Sequence, residues 1–148
     1  IKFEYTEHSF VDELYLYLTI QQSRVHAGTV QRIPGLHLDG FQKASIKPQV
    51  AQHQLAITNA LPTEFVAHAF DRSRLPDTKK ELFAELTRQS EGRVRYKPLP
   101  YGLHMLNAFC PHAPGVATKD CFRTFIRLSG SVIPFMREGN TPRPQRCR

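Results

Sequence analysis

Alternation of apolar and polar side chains is the dominant pattern along this 148-residue chain. In the segment LYLYLTI, residues 14–20, aliphatic side chains occupy every second position, which is typical of a strand with one buried face. Shorter runs rich in β-branched and aromatic residues are separated by prolines, glycines and asparagine. These further predicted strands lie at residues 54–58, 64–70, 93–96, 103–109 and 121–133.

A different pattern between residues 77 and 90 predicts a helix. Its apolar residues Leu82, Phe83 and Leu86 are spaced for one helical face, Asp77 is a candidate N-cap and Gly92 a candidate stop. Many short strands with one helix predict a mainly β fold, a sandwich or jelly roll with one inserted or flanking helix.

Composition is that of an ordinary globular protein, with 41% apolar and 22% charged residues. We predict one domain over residues 1–140, followed by a basic, proline-containing tail at residues 141–148. That tail, TPRPQRCR, contributes three arginines to the net charge of +7, so the charge is weak support for a nucleic-acid partner. No apolar run approaches the roughly 20 residues that cross a bilayer, and we expect no membrane role.

The cysteines, Cys110, Cys121 and Cys147, are odd in number and lack CxxC spacing. This argues against both a disulfide framework and a cysteine zinc site. No signal peptide is visible at the start of the sequence. We therefore expect reduced thiols and a cytoplasmic protein, while the oligomeric state cannot be read from the sequence.

Candidate chemistry begins at His37-Leu38-Asp39. Side chains two apart in a strand point to the same side, so His37 and Asp39 would present an imidazole and a carboxylate to one cavity. A histidine from a distant strand would complete the 2-His-1-carboxylate triad that binds non-haem iron and leaves open coordination positions. Alone, the tripeptide is also compatible with an exposed turn.

A second group of residues favours a metal site over an exposed turn. His112 follows the apolar run 106–109, and ten residues separate it from Arg123. With these residues the chain resembles the iron(II)- and 2-oxoglutarate-dependent oxygenases, in which H-x-D is followed by a distal histidine and then an arginine. The resemblance implies a double-stranded β-helix with His37, Asp39 and His112 as catalytic iron ligands. It also implies that an arginine binds the 5-carboxylate of 2-oxoglutarate.

Two arginines are candidates for that carboxylate, because Arg123 and Arg127 alternate on one predicted strand and should share a face. We assign Arg123 to the co-substrate and Arg127 to a substrate anion or a second co-substrate contact; the reverse order stays open. His104 is a rival histidine, but Arg123 would lie too far beyond it, and we expect it to pack within its strand.

The implied activity is hydroxylation of a small-molecule substrate by molecular oxygen, with decarboxylation of 2-oxoglutarate to succinate. Arg127 and the net positive charge of the chain favour an anionic substrate. One alternative is a cupin-like module that holds a ligand without redox turnover, because a fold does not dictate a function. A nucleic-acid binder is disfavoured because basic and aromatic residues interleave only at Arg93-Val94-Arg95-Tyr96.

Overall fold

The computed structural model describes residues 15–39, 53–66, 70–71, 73, 76, 78–107 and 110–131, and the structural statements below refer to these residues. Strands predominate in the described ranges, together with one helix, α1. In chain order the elements are β1 (Tyr15–Val25), β2 (His53–Thr58), β3 (Glu64–Val66), α1 (Lys79–Gln89), β4 (Arg95–Tyr96), β5 (His104–Asn107), β6 (His112–Ala113) and β7 (Cys121–Ser131).

The strands form two antiparallel sheets, one of four strands in the order β1-β7-β2-β5 and one of three in the order β4-β3-β6. The predicted mainly β class is therefore confirmed. The predicted tail, residues 141–148, and the end of the last predicted strand lie outside the described residues. Among the described residues, no helix is long and apolar enough to cross a membrane.

The first strand follows the predicted alternation with the opposite orientation. Leu16, Leu18 and Ile20 are 43%, 65% and 60% exposed, whereas Thr19 is half-buried. The expectation that the aliphatic face of this strand is the buried one is wrong for the described structure. The register explains this result, because Thr19 pairs with Arg127 of β7 and therefore shares the face that borders a polar cavity.

The N-cap of helix α1 lies one residue after the predicted cap. Thr78 is the N-cap, and its hydroxyl oxygen accepts a hydrogen bond from the Glu81 amide at 3.3 Å while donating to the Glu81 carboxylate at 2.7 Å. The proposed cap Asp77 lies outside the described residues. The helix ends at Gln89 with Ser90 as its C-cap. The predicted stop, Gly92, follows two residues later with a φ of 68°, the left-handed geometry that glycine adopts without strain.

The apolar face of α1 fixes the orientation of the H-x-D segment. Leu82 and Leu86 are 0% and 1% exposed and share one buried cluster with Leu36 and Leu38. In extended backbone successive side chains point to opposite sides. The two leucines on either side of His37 pack into this cluster, so His37 points to the other side of the segment, with its ring 6.0 Å from that of Phe83 on α1.

Candidate metal centre

A short backbone bridge brings the two candidate histidines together. The His37 amide donates to the His112 carbonyl at 2.9 Å, and the His112 amide donates to the His37 carbonyl at 3.0 Å. The H-x-D segment is therefore not the regular strand predicted for it, because only His37 pairs in this way. This reciprocal bridge sets the two imidazole rings 4.5 Å apart, measured between their centroids.

Both imidazoles are oriented by backbone carbonyls. Nδ1 of His37 lies 3.0 Å from the Gly35 carbonyl oxygen, and Nδ1 of His112 lies 2.8 Å from that of Cys110. A carbonyl only accepts, so in a neutral ring Nδ1 carries the proton and Nε2 keeps its lone pair. Such second contacts are characteristic of histidines that bind metals through the other nitrogen.

Asp39 completes the cluster. One ligand atom from each of His37, Asp39 and His112 can be chosen so that all three lie within 4.8 Å of one another. Oδ2 of Asp39 lies 3.7 Å from Nε2 of His112 and 2.6 Å from Nη1 of Arg127. The structure thus brings the three predicted ligands to one point, with one arginine beside their carboxylate.

The electrostatics of the cluster favour the protonation states that a metal site needs. Burial raises the pKa of Asp39, but the charge of Arg127, with smaller contributions from His112 and His37, holds that pKa below 3.8. Burial lowers the pKa of His112, although the Asp39 carboxylate partly opposes it. A charged carboxylate and a neutral imidazole are the forms that bind metal ions.

The alternation predicted for β7 is confirmed: Arg123, Phe125 and Arg127 are all buried on one face, at 2%, 5% and 9% exposure. They border the same cavity as the three candidate ligands. Four residues of extended strand place the backbone of Arg123 roughly 13 Å from that of Arg127. One guanidinium therefore lies beside the candidate ligands and the other further along the sheet.

The guanidinium of Arg123 is held by the protein. Its Nε donates to the carbonyls of Ala60 and Leu61, each at 3.1 Å, and its Nη1 donates to the side chain of Gln31. Burial, with a further contribution from the charge of Arg32, lowers the pKa of Arg123 to about 10. It therefore stays cationic at neutral pH, and among the described residues its Nη2 forms no hydrogen bond.

Sequence reasoning missed several residues of the cavity wall. Gln54 is 1% exposed and accepts from Nη1 of Arg127 at 3.3 Å. The Arg32 guanidinium lies 5.3 Å from the centre of the Phe125 ring, which Arg123 also approaches, at 4.9 Å. The alternation of Gln54 with the apolar residue that follows it could have indicated that Gln54 faces the cavity, whereas no pattern in the loop sequence indicates a role for Arg32.

The cavity is lined by residues of both sheets, is partly open to solvent and has a volume of about 30 Å³. His104, which we expected to pack within its strand, does lie in β5, where its ring meets Phe65 edge to face at 5.3 Å. It also borders the cavity, although it is not part of the three-residue cluster. The preference for His112 over His104 as the third member of the cluster thus agrees with the geometry.

Comparison with known proteins gives little further guidance. No family model matches the chain, and no curated protein matches it. Among solved structures it is similar to the crystal structure of EvdMO1, with a TM-score of 0.44 and 15% sequence identity. The aligned region covers 78% of this chain and 27% of the EvdMO1 chain, so this chain spans about a quarter of that protein.

Proposed function

We propose that this chain is an iron(II)- and 2-oxoglutarate-dependent oxygenase built on a double-stranded β-helix. The observation that supports it most is the cluster of His37, Asp39 and His112, with both histidines held through Nδ1 and an arginine-lined cavity around them. Two imidazoles and one carboxylate are the donor set of non-haem iron(II) sites with open positions. The residues present therefore fit the metal.

In this proposal the metal, when bound, supplies the oxygen chemistry: 2-oxoglutarate, O2 and a substrate C–H bond yield succinate, CO2 and a hydroxylated product. The chain supplies binding and orientation. Arg123 binds the 5-carboxylate of the co-substrate, because a fixed guanidinium suits a carboxylate better than a flexible ammonium does. The carbonyls of Ala60 and Leu61 hold it in place.

Arg127 has a different role in the proposal. Its 2.6 Å contact with Asp39 keeps that carboxylate ionised and directs it into the cavity. Removing Arg123 should cost on the order of 2–4 kcal/mol of co-substrate binding, which is at least about tenfold in affinity. Normal affinity in Arg123→Ala with loss in Arg127→Ala would reverse the two assignments.

The direct test is anaerobic addition of 2-oxoglutarate to the iron(II)-loaded chain. We expect a weak visible charge-transfer band, and succinate once air is admitted. His112→Ala should abolish iron(II) binding, whereas His26→Ala, a change at an exposed histidine bound to Asp120, should leave it intact. Equal iron(II) binding by both variants would contradict the proposed metal site.

The alternative is a cupin-like binding module without turnover. One observation favours it: the protein already engages Nε and Nη1 of Arg123. A module of this kind would bind a divalent ion or a small anion, but would show neither the band nor succinate. Failure of both signals in a chain that binds iron(II) would therefore select the module.

A further inference from the structure

Unpartnered buried nitrogen atoms cluster at the cavity. Within the described residues, three buried side-chain polar atoms lack a hydrogen-bond partner in the protein, namely Nδ1 and Nε2 of His104 and Nε of Arg127. Both residues border the cavity. Leaving a buried polar group unpartnered is unfavourable, and folded proteins rarely tolerate it without a ligand or water at the site.

The sheet register places these two residues opposite one another. Ala56 of β2 pairs with Arg127 on one side and with His104 on the other. Strands lie 4.7–4.9 Å apart, so the two backbones are roughly 10 Å apart with only a methyl group between them. Ala56, which is buried but borders the cavity, therefore separates a guanidinium from an imidazole by no more than a methyl group.

The chemistry of these two cavity-lining residues favours an anionic hydrogen-bond acceptor. Nε of Arg127 can only donate, while its Nη1 is already bound to Asp39 and Gln54. Burial lowers the pKa of His104 and the nearby Gly102 backbone opposes this more weakly, although neither ring nitrogen forms a hydrogen bond of normal geometry with the protein. The ring is therefore neutral near pH 7 and offers one donor. The cavity wall as described contains three arginines and one aspartate, so positive charge is in excess.

We propose that His104 and Arg127 form a substrate subsite across Ala56 that binds a carboxylate group of the substrate. His104 is then the residue that sets specificity, with its ring held edge-on by Phe65. Describing the bound molecule as a substrate rests on the proposed function; the carboxylate site itself does not. It is distinct from the co-substrate position at Arg123, which lies further along β7.

Binding of benzoate to the 148-residue chain tests this subsite without added metal or 2-oxoglutarate. Benzamide, which has nearly the same shape and no charge, is the matched control ligand. We expect benzoate to shift the ring ¹⁵N resonances of His104 and to bind roughly tenfold or more tightly than benzamide, as hydrogen bonds to charged groups allow. His104→Phe should weaken benzoate binding by a similar factor, and His104→Gln, which keeps a donor, should restore most of it.

Three results would overturn the subsite: equal affinity for benzoate and benzamide, benzoate binding unchanged in His104→Phe, or loss in Arg123→Ala without loss in His104→Phe. Circular dichroism of each variant establishes that it is folded, and His104→Gln provides the polar replacement if His104→Phe is not. The proposed function is judged separately. If benzoate binds but the iron(II) chain shows no charge-transfer band with 2-oxoglutarate, the oxygenase proposal is wrong and the carboxylate site stands. If the band appears but His104 variants bind benzoate normally, only the subsite proposal is wrong.

Discussion

The buried ion pair between Arg127 and Asp39 provides the sharpest test of the electrostatic argument. Their nitrogen and oxygen atoms are 2.6 Å apart, and the side chains are only 11% and 15% exposed. Replacing Arg127 with leucine at neutral pH leaves a buried carboxylate without its main counter-charge. Breaking a buried pair in this way costs about 3–5 kcal/mol, and the residual exposure places the expected loss of unfolding free energy near the lower limit, about 3 kcal/mol.

A matched control comes from a second ion pair of the same residue types. Arg24 and Asp120 are 3.0 Å apart, but their side chains are 69% and 43% exposed. Solvent screens such a pair, so Arg24→Leu should change the unfolding free energy far less than Arg127→Leu does. The contrast between the two variants isolates burial from the mere presence of an arginine and a carboxylate.

Urea denaturation of the metal-free chain measures both variants. With a slope of about 2 kcal/mol per molar urea, Arg127→Leu should lower the midpoint by roughly 1.5 M. Adding Asp39→Asn to Arg127→Leu removes the stranded charge and should recover much of the loss. A loss no larger than that of Arg24→Leu, or a double variant as unstable as the single one, would refute the claim that Arg127 compensates the charge of Asp39.

Three further predictions concern other parts of the chain. Burial holds the pKa of His104 below 6.5, so on acidification the unfolded chain takes up a proton there before the folded chain does. The free energy of unfolding should therefore fall as the pH drops below about 6.5, and the urea midpoint of His104→Phe should fall less over the same range. The Ala27 amide is the main cause of the lowered pKa of Asp120, so this carboxylate stabilises the fold above about pH 3.8, and Asp120→Asn should make circular dichroism less sensitive to acid below that pH. Gly115→Ala would place a Cβ 2.8 Å from the Pro62 carbonyl oxygen and 3.2 Å from that of Leu61, which accepts a hydrogen bond from the arginine proposed to bind co-substrate. This variant should weaken 2-oxoglutarate binding in a titration and destabilise the fold by about 1–3 kcal/mol.

Local periodicity accounts for the part of the structure that the sequence predicted well. Alternation along a strand is a property of the backbone itself, so the shared face of Arg123 and Arg127 could be derived without knowing any pairing. The helix was predictable for the same reason, since Leu82 and Leu86 mark one face. Its cap was misassigned by one residue because Asp77 and Thr78 are both good N-cap residues.

Pairing between distant segments is the part that local patterns could not supply. His37 and His112 meet through a two-residue bridge across more than seventy positions of sequence, and no periodicity encodes that contact. Their convergence was anticipated only from the resemblance to a family. The position of His104 could not be predicted for the same reason. Its place in a strand was predicted, but its position across Ala56 from Arg127 depends on two strand registers that the sequence does not reveal.

The orientation of β1 connects the fold to the chemistry. Hydrophobic alternation is normally interpreted as a buried aliphatic face, yet Leu18 and Ile20 are exposed and Thr19 pairs with Arg127. A sheet that lines a polar cavity needs polar groups on its inner face, so its aliphatic positions fall on the outer one. The same requirement, a cavity wall suited to charged ligands, therefore accounts for the outward aliphatic residues of β1 and for the unpartnered nitrogens of His104 and Arg127.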